Sequence, residues 1–158
     1  VRLRSLVAGT ALAATSVLAL AAPAAAAPKP TNAADVVGVV RIDPSDPTVA
    51  EVRVRYHCAA GEELGLWVSV KQSEDRSADP LLAEHGSSSY ATAMSHSHRH
   101  EFTCDGRTRV GTFTVDQVEW GFGSLARGEG YVQFCLTDLS TEGPESTLVS
   151  RNEFVHVR

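Results

Sequence analysis

Three histidines alternate in Ser95-His-Ser-His-Arg-His100, and imidazoles in such an arrangement can share a metal ion. On an extended strand His96, His98 and His100 occupy one face, with successive members about 6.6 Å apart by strand rise. Two neighbours can therefore grip one Zn²⁺ or Cu²⁺, while the outer pair, about 13 Å apart, needs a bend to do so. A complete site requires a further ligand from elsewhere, and His85 and His57 are the candidates. The plainer reading is a solvated loop or strand end. His100 is also in phase with Phe102 and Cys104, which places it at the rim of a core.

Cysteine is the second chemistry-bearing type. Cys58, Cys104 and Cys135 make an odd count, so one thiol is left after a single bridge. Cys58 is in phase with Val52, Val54 and Tyr56, and Cys104 with Phe102, so both face inward. Cys135 falls between Phe134 and Leu136, in the opposite phase to the apolar set Val132, Phe134 and Leu136. Strand phase thus pairs Cys58 with Cys104 across two sheets, with Cys58 to Cys135 as the rival pairing. A bridge closing that loop stabilises by ~4 kcal/mol on the chain-entropy argument.

Signals of catalysis are poor. No serine sits in Gly-x-Ser-x-Gly, and the His-Glu-x-x-His, phosphate-loop and dinucleotide patterns are missing from the sequence. The carboxylate pairs Glu62-Glu63 and Glu74-Asp75 lie in turn-like stretches, where such residues are ordinarily solvated. The reading is a non-enzyme without a cofactor.

The segments that must position these residues are short. Val36 to Ile42, Val49 to Cys58, Leu64 to Val70, Ser97 to Cys104, Thr108 to Val115, Tyr131 to Thr137 and Thr147 to Val157 are seven candidate strands. Val49 to Cys58 is the clearest, its apolar residues alternating with Arg53, Arg55 and His57. Asp43-Pro-Ser-Asp-Pro47, Ala60-Gly61, Asp105-Gly106, Gly128-Glu-Gly130 and Glu142-Gly-Pro144 punctuate them as turns. Within Ser73 to Met94, Leu81 to Glu84 suits one helical turn and Tyr90 to Met94 an extension of the next strand. Seven short strands with little helix predict an all-β, immunoglobulin-like antiparallel β-sandwich with one intersheet disulfide.

That fold offers an exposed face. Trp67 is out of phase with Leu66, Val68 and Val70, while Tyr131 and Cys135 are out of phase with their own core set. If the two strands are neighbours, Trp67, Tyr131, Gln133 and Cys135 form one outer patch, with Ser69 and Lys71 at its rim. The competing expectation is that the Gly-rich stretch Trp120 to Gly130 folds over this face and buries Cys135. A further possibility is an exposed loop over Val118 to Arg127, of a length suited to an inhibitor of secreted proteases.

Location is read from the first residues. Arg2 and Arg4 precede an apolar run from Leu6 to Ala22, with Ala24 and Ala26 around a cleavage point after Ala26. This is the pattern of a secretory signal peptide over residues 1–26. A flexible leader over 27–34 and a domain over 35–158 follow. The 14 Lys+Arg and 19 Asp+Glu of the whole chain leave a net charge of −5. Without Arg2 and Arg4, 12 basic residues face 19 acidic ones, a net charge of −7. This balance argues against nucleic acid or an anionic membrane as partner. An extracellular protein, a glycan or a second copy remains, the last through a Cys135 disulfide, with a monomer as the default.

Tyr56-His-Cys58-Ala-Ala-Gly61, Leu66-Trp-Val-Ser-Val-Lys-Gln72 and Phe102-Thr-Cys104-Asp-Gly106 resemble a group of small secreted actinobacterial proteins of unknown function. The resemblance covers most of the chain after the signal. It implies an immunoglobulin-like fold and a first-to-second cysteine bridge, and it implies no activity. Cys135 lies outside the shared motifs. The inward Trp of antibody domains, and the Tyr two residues before their second Cys, have no counterpart here, since Trp67 reads outward and residue 133 is Gln.

Overall fold

The computed structural model describes residues 32–59, 63–84, 88–99, 102–143 and 146–158. His85 and His100 fall outside them, as do the signal segment and most of the leader. The described elements are β1 (Ala33–Val36), β2 (Arg41–Ile42), β3 (Ala50–His57), β4 (Leu64–Gln72), α1 (Leu81–Glu84), β5 (Ala93–Arg99), β6 (Thr108–Val115), β7 (Gly128–Asp138) and β8 (Thr147–Val157). One 3-10 turn, Ser88–Tyr90, follows α1.

Two antiparallel sheets form a sandwich. In the first, β3 is central, with β6 on one side and β1 and β2 in succession on the other. The second has the order β5-β4-β7-β8. The period-two alternation of β3 has the predicted consequence: Val52, Val54 and Tyr56 are buried while Glu51, Arg53 and Arg55 are exposed. Leu66, Val68 and Val70 face Val132, Phe134 and Leu136 in register, and all six are buried in one core with Val52, Val54, Phe113 and Val115. Tyr56, Phe113 and Phe134 meet there at ring-centroid distances of 5.8–6.5 Å.

Three boundaries differ from expectation. The first expected strand, Val36 to Ile42, is two strands, because Gly38 takes a left-handed φ of 81° between them. Val40 then bridges Val157 of the other sheet in parallel, so this segment closes one edge of the sandwich. The expected leader reaches Ala34, yet Ala33 already pairs with His57. The expected strand Ser97 to Cys104 is displaced: β5 runs from Ala93 to Arg99, and residues 102–104 are not in a strand.

Cys58 and Cys104 form a disulfide, with Cα atoms 5.3 Å apart, and Cys135 is free. The bridge sits differently from the expected link between facing strands. Cys58 directly follows β3 and Cys104 precedes β6, and these strands are neighbours in one sheet, His57 opposite Thr108. It ties the two connections by which the chain passes between the sheets. No helix among the described residues is long and apolar enough to cross a membrane.

Candidate functional site

The outer face of the β5-β4-β7-β8 sheet gathers most of the residues singled out from the sequence. Its register sets His98, Trp67, Cys135 and Ser150 in one row. His96, Ser69, Gln133 and Asn152 form the next, and Met94, Lys71, Tyr131 and Phe154 a third. Side chains alternate between the faces of a strand, so every member of these rows projects away from the core. Trp67, Tyr131, Gln133 and Cys135 therefore do share a face, on adjacent strands.

That face is largely covered. Tyr131 is only 6% exposed and Lys71 3%, and Trp67 is half-buried. Phe154 of β8 packs on Tyr131 at 5.0 Å between ring centroids. Burial pushes the Tyr131 hydroxyl above the ordinary tyrosine range, with a smaller contribution from Cys135. Burial also pulls Lys71 below the ordinary lysine range, against a smaller opposing effect of Cys135. Cys135 itself stays partly exposed, 3.6 Å from the Ser150 hydroxyl. Tyr131 is thus not part of an open patch.

The cover at the β5 end is the connection between β6 and β7, and it is pinned by the backbone. His96 and Asp116 exchange both main-chain hydrogen bonds, at 2.8 and 3.0 Å, and Met94 and Phe122 do likewise. The Gln117 side-chain amide donates to the Met94 and Gly123 carbonyls at 3.2 and 2.8 Å. The Asp116 carboxylate accepts from the Val118 amide at 3.1 Å. Gly123 has a φ of 68°, and at Gly121 a Cβ would lie 2.7 Å from the Met94 carbonyl oxygen. Both positions therefore need glycine. Further on, Leu125 is buried, and Ala126 is hydrogen-bonded through both backbone groups to the Gln72 side chain. The stretch Val118 to Arg127 is consequently not one exposed loop: Phe122 and Ala126 are held through their backbone groups and Leu125 is buried, while Val118 to Trp120 are exposed.

This geometry lays Trp120 on the sheet. Its ring centroid is 5.2 Å from Trp67 and 4.6 Å from His96. His96 stacks on Trp67 at 4.8 Å and 19°, and His98 meets the same indole edge-on at 6.1 Å. His96, expected on a solvated strand end, is 3% exposed. Burial holds its ring below the ordinary histidine value; Glu119 and Asp116 work against this, and His98 adds to it. A cleft of about 210 Å³ beside it is lined by His96, Ser97, His98, Asp116, Val118 and Glu119.

No group of three His, Cys, Asp or Glu side chains that could hold a metal ion occurs among the described residues. His57 lies on the other sheet, opposite Ala33 and Thr108. Among the described residues His96 and His98 make aromatic contacts with Trp67, while His85 and His100, two further expected ligands, lie outside them. Above the cluster, Val118, Trp120 and Phe122 are 84%, 59% and 38% exposed.

No family model matches the chain, and neither does any curated protein or solved structure.

Sequence reasoning did not single out Phe122, Asp116, Glu119 or the structural role of Gln72. The spacing Gln117-x-x-x-Gly121-x-Gly123 was the one local sign of a pinned turn.

Proposed function

We propose that this chain is a secreted, non-catalytic β-sandwich of immunoglobulin-like type that recognises an extracellular protein or glycan through its β6–β7 loop. The observation that carries this reading is the display of Val118, Trp120 and Phe122 on a short loop whose backbone is fixed by paired hydrogen bonds and obligatory glycines. Exposed large apolar side chains are costly to leave in water and typical of interface cores. A pre-organised loop loses little conformational entropy on binding, so its apolar tips translate efficiently into affinity. Asp116 and Glu119 flank the ridge and favour a partner with apolar and basic or hydroxyl-bearing groups. The signal-like start and the Cys58–Cys104 bridge support export, since disulfides persist in oxidising compartments. The order of the two sheets supports the immunoglobulin-like assignment.

The test is quantitative retention on immobilised protein of material from the culture fluid and cell envelope of its source, wild type against Val118→Asp. Val118 is almost fully exposed, so the variant keeps the fold and its melting temperature. A partner held at least tenfold less well by the variant supports the loop as the binding surface. Equal retention by both proteins, or retention by neither, removes the reading.

A further inference from the structure

His96 is the one described residue whose buried side-chain nitrogens, Nδ1 and Nε2, both lack a hydrogen-bond partner. Buried polar atoms are ordinarily satisfied, and an exception calls for an explanation. Trp67 stacks on one ring face and the tilted Trp120 indole packs beside it, the three centroids forming a triangle of 4.6–5.2 Å sides, yet neither ring nitrogen has a hydrogen-bond partner. The chain has two tryptophans, and both lie on this imidazole.

We infer that His96 is a proton-operated latch: the neutral ring holds the β6–β7 loop closed against the sheet, and a proton on it releases the loop. A neutral imidazole is a flat aromatic body that packs against both indoles without desolvating a charge. An imidazolium in the same place buries a positive charge and two N–H donors without acceptors.

The surrounding groups set the balance. From the loop, Glu119 and Asp116 favour the charged form, and the stacked Trp67 face adds cation–π attraction. From its own strand, His98 opposes it. From β4, the neighbouring outward residues Trp67 and Ser69 are uncharged, and Lys71 lies one outward pair further along, opposite Met94. From β7, Gln133 in the same row is uncharged. Burial outweighs the pull of the two carboxylates.

The sign follows. Opening the loop returns His96 to water and to its ordinary value of about 6.5. The open form then binds more protons than the closed one. The closed form is therefore fully favoured above about pH 6.5. Below that, its equilibrium constant falls up to tenfold per pH unit until the closed-state value is reached. If the loop is the recognition surface proposed above, partner affinity is highest above pH 6.5 and declines in acid.

The experiment is tryptophan emission from pH 7.5 to 4.5 in the presence of a chelator, which removes metal as a cause. The expected result is a one-proton transition centred below pH 6.5 with an unchanged far-UV spectrum. His96→Phe keeps the stacking and lacks the transition, while His98→Phe retains it. Amide exchange on the wild-type protein gives the same answer without a variant. The Asp116 and Phe122 amides, bonded to His96 and Met94, lose up to tenfold protection per pH unit relative to the β4–β7 ladder. Flat emission overturns the latch, as does a transition that persists in His96→Phe. So does one that coincides with loss of far-UV signal, or protection that falls uniformly. None of these readouts uses a partner, so the latch and the recognition reading fail separately.

Discussion

Replacing Gln72 by Leu should destabilise the domain by about 3 kcal/mol, although the new residue is similar in size and more apolar. Gln72 is wholly buried at the end of β4. Its Nε2 donates to the Ala126 and Glu129 carbonyls at 2.8 and 3.0 Å, and its Oε1 accepts from the Ala126 amide at 2.8 Å. The substitution removes all three bonds and leaves their backbone partners inside the protein. An unsatisfied buried N–H costs ~1–3 kcal/mol, and each carbonyl, with two lone pairs, rather less. Leucine returns ~1 kcal/mol through apolar burial. Urea denaturation should show a lower midpoint with an unchanged slope, because the surface exposed on unfolding is unchanged. Gln72→Glu sharpens the test. Its acceptor can still serve the Ala126 amide, but the carboxylate faces two carbonyls, and burial raises its pKa in the folded state. A carboxyl with a raised folded value contributes stability in acid that is lost as pH rises above its unfolded value near 4.3. The variant should therefore lie closer to wild type at pH 4 than at pH 7. A loss below ~1 kcal/mol for Gln72→Leu would refute the assignment, since it would mean water replaces all three bonds.

Other outcomes follow from the same geometry. Alkylation without reductant should label Cys135 alone, whereas reduction and unfolding should label all three cysteines, as mass spectrometry would show. Removing the 46-residue cross-link with Cys58→Ala and Cys104→Ala should lower stability by ~4 kcal/mol in chemical denaturation. Gly123→Ala should cost ~1–2 kcal/mol, because φ is positive and the new methyl group meets the Thr92 backbone. Its exchange signature is lost protection at Phe122, with the core amides unaffected.

The core was legible residue by residue. Val52, Val54 and Tyr56, then Leu66, Val68 and Val70, then Val132, Phe134 and Leu136, repeat at period two, and a period-two pattern has one stable outcome, a sheet with one dry face. The same reasoning placed Cys135 outward and set Trp67 beside it. It failed where the backbone leaves the ladder. Nothing local in Val36 to Ile42 announces that Val40 crosses to Val157, since that choice depends on where the other sheet lies. Residues 102–104 kept a strand-like phase without belonging to a strand.

The amino-acid order by itself thus determined the all-β fold class and the inward and outward faces of β3, β4 and β7, because alternation and turn residues act through neighbours in the chain. Tertiary structure alone decided that His96 is buried rather than solvated and that Tyr131 is covered by Phe154. It also decided that Trp120 rests on Trp67. A histidine or tryptophan carries no periodic signal of its own. What covers it comes from a segment distant in the chain, and burial is a property of what covers a residue.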